Sequence, residues 1–161
     1  MDKIIIDWDT YFISLAHLSA LRSKDPNTQV GAVIVDSQNR IVSIGYNGMP
    51  RGCSDMEFPW ERKGGFLTTK YAYVVHAELN AILNSPRPVE GCRLYVSLFP
   101  CNECAKAIIQ AGIKEIVYES EKYKEADNNI ASRRMLVASG IKLRKLDFSV
   151  VVDVEKNGPL D

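Results

Sequence analysis

The chain shows no excess of charge. Lys plus Arg and Asp plus Glu each number 20 among its 161 residues. A protein that grips a long polyanion ordinarily carries a basic surplus, so no nucleic acid polymer is expected as its partner. No apolar run approaches the 18 residues that a membrane span needs, so no membrane contact is expected either. The opening stretch MDKIIIDWDTYF places acids too early, and holds too short an apolar run, for a secretory signal. The expected location is the cytoplasm. There is no internal repeat and no low-complexity tract. Cysteine is scarce, at positions 53, 92, 101 and 104, and there are only two histidines. A chain this long buries roughly 70% of its unfolded surface and needs no disulfide staple. In a reducing compartment the Cys101–Cys104 spacing therefore reads as a metal or redox pair.

What is present is a regular alternation of elements. The spacing predicts a helix over 9–24 that starts at an Asp9 cap. Tyr11, Leu15 and Leu18 face a core there, and His17 lies on the opposite side. Apolar runs over 30–35 and 41–44 flank a polar turn and read as an antiparallel hairpin. The segment 47–70 is too long for an idle connection, and Phe58, Trp60 and Phe66 suggest an ordered, packed loop. A helix follows His76, carries Leu79, Ile82 and Leu83, and ends at Pro86. A strand over 94–97 precedes a helix opened by Pro100, with Ala105, Ile108 and Ile109 inward. A strand over 116–118, a helix over 126–139 with Ala126, Ile130 and Val137 on its inner face, and a strand over 141–146 complete the series. The βαβα order implies parallel pairing in this half. The expected fold is α/β: a three-layer α/β/α domain over 1–147 on a mixed five-stranded sheet. Residues 148–161 form an edge strand or a tail.

Two short segments carry the chemistry, His76-Ala77-Glu78 and Pro100-Cys101-Asn102-Glu103-Cys104. Both cysteines fall at the start of a predicted helix, where i, i+3 spacing shares a face and the dipole favours thiolates. With His76 they make a His-Cys-Cys zinc set with a free fourth position, the arrangement of a catalytic site. Cys53 and Cys92 are expected to be buried thiols, although either could close the site into a structural one. A redox dithiol is a further alternative, but it leaves His76 without a role. Glu78, two residues past His76, can take a proton from water activated by the ion. This suits hydrolytic loss of ammonia from an amidine-like carbon, and H-x-E…P-C-x-x-C is the pattern of zinc-dependent base deaminases.

The segments RSKDPNTQVGAVIV (22–35), GYNGMPRGCSD (45–55), HAELNAIL (76–83) and LFPCNECAKAIIQAGIKEIVY (98–118) closely resemble the deoxycytidylate deaminases, a branch of the cytidine deaminase superfamily. The resemblance covers about residues 10–147. It implies conversion of dCMP and water to dUMP and ammonia, feeding thymidylate synthesis. It implies His76, Cys101 and Cys104 as Zn2+ ligands and Glu78 as the proton shuttle. It also implies Asn47 as a sugar contact, with Ala77 in the substrate site. For the phosphate, Arg22, Lys24, Asn27 and Thr28 are candidates, because they fall where the first helix gives way to a strand. The resemblance further implies a homo-hexamer activated by dCTP with Mg2+ and inhibited by dTTP. The glycine-rich stretch with Gly48, Arg51, Gly52 and Cys53 is the candidate effector site. A polynucleotide cytosine or adenosine deaminase and a non-enzymatic zinc module remain as alternatives.

Overall fold

The computed structural model describes residues 3–159. Among them, β1 (Gly31–Val35) and β2 (Ile41–Tyr46) form the expected hairpin, and β3 (Arg93–Leu98), β4 (Glu115–Ser120) and β5 (Lys142–Lys145) complete one sheet in the order β2-β1-β3-β4-β5. β3 pairs antiparallel with β1 and parallel with β4, and β5 runs parallel to β4, so the sheet is mixed.

The helices are α1 (Trp8–Ala20), α2 (Ala77–Leu83), α3 (Asn102–Gln110) and α4 (Asp127–Ala138). Both faces of the sheet are covered, and β1 reads GAVIV with every residue buried. Alternation sends Ala32 and Ile34 into a core shared with α2, α3 and α4. Val33 and Val35 enter a second core with Phe12, Ile13 and Ala16 of α1. The three-layer expectation is met, with α1 alone on one face.

Several local expectations need correction. The α1 cap is Asp7, whose side chain accepts from the Thr10 amide at 2.7 Å. The helix ends at Ala20 because the amides of Leu21, Arg22 and Ser23 turn back to the third residue before them. Its inner face is Phe12, Ile13, Ala16, Ser19 and Ala20, whereas Tyr11 and Leu18 are exposed. The reason is close approach: a Cβ on Gly31 would lie 1.7 Å from the Ala16 carbonyl oxygen. Only small residues fit between α1 and β1 at that point. His17 faces Glu119, Nε2 to Oε2 at 2.9 Å. In α4 the buried residues are Asn129, Ser132 and Leu136, and Ile130 and Val137 face outward. Leu83 is exposed. In the long loop Phe58 packs edge-on against Tyr73 at 5.1 Å, but Phe66 is exposed. Residues 148–159 form no strand. Phe148 and Val150 pack on the second core, and the Val150 amide donates to Glu119. Residues 160–161 of the expected tail lie outside the described residues.

Candidate metal centre and substrate cavity

His76 and Cys101 occupy equivalent places: each is the N-cap of a helix, α2 and α3, with extended backbone and no side-chain capping bond. Their side chains are therefore free to turn toward each other, and Cys104 follows one helical turn later. Strand β2 continues past its end to hold this point. Gly48 exchanges backbone hydrogen bonds with Val75 at 3.0 and 2.9 Å, immediately before His76. Asn80 of α2 donates to the Tyr46 carbonyl at 2.8 Å.

The three ligand atoms lie within 4.8 Å of one another. His76 Nδ1 is 3.4 Å from Cys101 Sγ and 3.5 Å from Cys104 Sγ. A tetrahedral zinc ion with ordinary Zn–S and Zn–N bonds needs S···N edges of about 3.5 Å, so the donor set fits this metal. Cys53 and Cys92 stand outside the group. Cys92 is buried in the first core, and all four thiols are free.

The same grouping shifts the protonation of each member. The Cys101 contact pushes His76 up to about 9. Hydrogen bonds from the Cys104 thiol and then from His76 hold Cys101 down at about 4. Cys104 is pushed up by the Cys101 contact and by burial. Glu78, buried on α2 with Oε2 3.6 Å from Cys104 Sγ, is pushed up chiefly by burial. A carboxyl whose proton affinity is raised beside a metal set is suited to accept and return a proton.

A cavity of about 390 Å³ opens over this group, lined by His76, Ala77, Glu78 and Cys101. Asn47 and Thr28 also line it. Asn47 Oδ1 accepts from the Val30 amide at 2.8 Å, and Nδ2 donates to the Thr28 carbonyl at 3.0 Å. The side chain thus pins the 28–30 segment to the cavity wall. Arg22 and Lys24 do not line the cavity. Arg22 lies over the Tyr46 ring at 5.9 Å, and Lys24 pairs with Asp55 at 2.6 Å. Asn27 contributes a backbone amide to Asp25 and also does not line it. None of Gly48, Arg51, Gly52 and Cys53 lines it.

Sequence reasoning missed seven polar lining residues: Asp25, Arg62, Lys70, Tyr71, Tyr123, Asn128 and Asn129. For Arg62, Lys70 and Tyr71 the available signal was the cluster of cations and aromatics just before His76, in RKGGFLTTKYAYVVH. It is a basic, aromatic stretch in a loop too long to be idle.

A three-layer α/β/α sheet that presents His, Cys, Cys and a buried carboxylate at two helix starts defines a zinc-dependent hydrolytic deaminase. The description "Cytidine and deoxycytidylate deaminase zinc-binding region" matches residues 6–120, and the chain belongs to that family. It is 58% identical over 142 residues to the deoxycytidylate deaminase of Pongo abelii, covering 87% of this chain and 80% of that one. It is 56% identical over 155 residues to the deoxycytidylate deaminase of Mus musculus, covering 93% and 87%. In fold it is similar to the dCMP deaminase of cyanophage S-TIM5, solved in complex with dCMP and dUMP. That likeness has a TM-score of 0.69 and 24% identity, and covers 89% of this chain and all of the other.

Proposed function

We propose that this chain hydrolyses dCMP to dUMP and ammonia and so feeds thymidylate synthesis. The observation that carries the reading is the buried Glu78 carboxyl beside the His76, Cys101 and Cys104 donor set, at the floor of a nucleotide-sized cavity. The deoxycytidylate deaminases more than half identical to this chain support the choice of substrate. Bound zinc would lower the pKa of water toward neutrality. Glu78 takes the proton from the attacking water and delivers it to the pyrimidine ring nitrogen. It then assists departure of the amino group as ammonia. The Ala77 amide and Asn47 orient base and sugar.

Regulation belongs to the same reading: a homo-hexamer in the cytoplasm, activated by dCTP with Mg2+ and inhibited by dTTP through the Gly48, Arg51, Gly52 and Cys53 stretch. Its support is the Gly48–Val75 pair, which ties the first residue of this stretch to the neighbour of His76. Ammonia release is measured from dCMP, deoxycytidine, dCTP and a cytosine-containing oligonucleotide, with and without dCTP as effector. Turnover of dCMP with a sigmoidal rate made hyperbolic by dCTP is the expected result. Ammonia from the oligonucleotide alone would overturn it in favour of a polynucleotide deaminase.

A further inference from the structure

The three metal donors are anchored by different means. His76 follows Val75, which Gly48 holds through two backbone hydrogen bonds. Cys104 lies inside α3, where the helix backbone fixes its direction. Cys101 stands at the end of the short connection 99–101 between β3 and α3, with extended backbone and no capping bond from its side chain. Its carbonyl accepts from the Ala105 amide at 2.9 Å, which fixes the peptide that follows it. The peptide that precedes it is held from outside α3.

Pro100 is buried and has no N–H, so its carbonyl is its one backbone hydrogen-bonding group and needs a donor. That donor is Ser132 of α4, with Oγ 2.8 Å from the carbonyl oxygen. Ser132 is fully buried. A serine within a helix often turns its hydroxyl back to a carbonyl one turn earlier. This one is directed across to a residue 32 positions away. The Pro100 carbonyl and the Cys101 nitrogen share one rigid plane, so a fixed oxygen sets the direction in which the chain enters Cys101.

The next residue of α4 acts on the first residue of the connection. The Arg133 guanidinium stands over the Phe99 ring, 4.4 Å from its centroid, and Glu121 holds it there at 2.9 Å. The Phe99 amide donates to the Ser120 carbonyl at 2.8 Å, and its ring meets Tyr118 edge-on.

We propose that Ser132 and Arg133 are positioning residues for the metal centre: they brace Pro100 and Phe99 so that Cys101 is presented to His76 and Cys104 at metal-binding distance. The inference rests on zinc occupying that donor set. Neither residue belongs to the donor set or lines the substrate cavity. They act through the connection, and the loss of such an orienting contact lowers metal affinity by about 10- to 100-fold.

The test uses the full chain loaded with zinc, or with Co2+ for its thiolate-sensitive visible spectrum, and the variants Ser132→Ala, Arg133→Met and Leu136→Val. Zinc affinity is measured by competition with a chromophoric chelator, and folding stability by urea unfolding. Ser132→Ala should lower zinc affinity by about 10- to 100-fold and shift the cobalt–thiolate bands. Arg133→Met, at a half-exposed position, should shift the same bands and lower affinity by about 3- to 10-fold. Leu136→Val trims a fully buried side chain of the same helix. It should lose folding stability while keeping the parent spectrum and zinc affinity within about 2-fold. Parent-like affinity and spectrum in Ser132→Ala would overturn the proposal. So would a loss of zinc in Leu136→Val as large as that in Ser132→Ala, which would assign the effect to general loosening. If Ser132→Ala does not fold, Arg133→Met decides, and a parent-like result there overturns the proposal. A parent chain that takes up no zinc would overturn the metal reading and this inference together, whereas a tightly loaded parent matched by its variants would overturn the inference alone.

Discussion

Lys70 Nζ lies 2.5 Å from Asp25 Oδ2, and both side chains are nearly excluded from solvent. The contact joins the long loop to the segment that ends the first helix, across the wall of the cavity. The Lys70 backbone is held as well: its amide donates to Glu61, and its carbonyl accepts from Tyr73 and Val74. Through Asp25 the pair reaches Asn27, Thr28 and Asn47.

Removing one partner should cost far more than removing both. Lys70→Met leaves the Asp25 carboxylate buried without its counter-ion, at a cost of about 3–5 kcal/mol. Adding Asp25→Asn should recover a good part of that loss. Urea unfolding of the two singles and the double measures it. A double variant that loses the sum of the single losses would show that the two act independently.

Metal content and turnover should separate in a defined way. Cys101→Ala and Cys104→Ala each lose zinc and activity together. Glu78→Gln retains zinc and loses turnover by about 10²- to 10⁴-fold, the usual contribution of a general acid–base group. Metal analysis beside a rate assay checks both. A chelator should abolish activity, and added zinc should restore it.

Acid stability should depend on Asp9. Two hydrogen bonds from the Arg144 guanidinium hold its carboxyl below the ordinary value of 3.8. The folded pKa is the lower one, so the contact stabilises the protein above the unfolded value and is lost as pH falls through the folded value. Arg144→Ala should therefore unfold more easily than the parent at pH 6. The gap should narrow as pH drops below about 4. Parallel urea melts across that range decide it. A constant gap would assign the effect to packing of the Arg144 side chain and not to its charge.

Gly31→Ala should be severely destabilising. The added methyl would lie 1.7 Å from the Ala16 carbonyl oxygen, and the nearest atoms it meets, in Ala16 and Ala20, are all backbone. Overpacking costs about 1–3 kcal/mol where side chains can yield. Here nothing can yield short of moving α1, so the loss should reach at least the top of that range in a thermal melt.

The sheet, its hairpin and the grouping of His76, Cys101 and Cys104 were legible because each rests on local pattern: short β-branched runs, turn residues, and side chains at helix starts. The inner faces of α1 and α4 were not. On α1 the pattern of large apolar residues pointed to Tyr11 and Leu18, but contact with Gly31 selects Ala16 and Ala20 instead. On α4 two of the three buried residues, Asn129 and Ser132, are polar because the helix covers the cavity and the start of α3. Ser132 donates to the Pro100 carbonyl at 2.8 Å, and Asn129 lines the site. Lys24 looked like a phosphate ligand by position in the chain. Its pairing with Asp55, 31 residues later, could not be read from sequence.

Gly45 gives the outermost strand a mechanical role. A Cβ there would sit 2.3 Å from the carbonyl oxygen of Ala77, which stands between His76, the cap of α2, and Glu78. Strand β2 has a free edge, and between it and that helix there is no slack to absorb displacement. Moving β2 toward the helix would therefore have to move α2 with it, and His76 and Glu78 flank the point of contact.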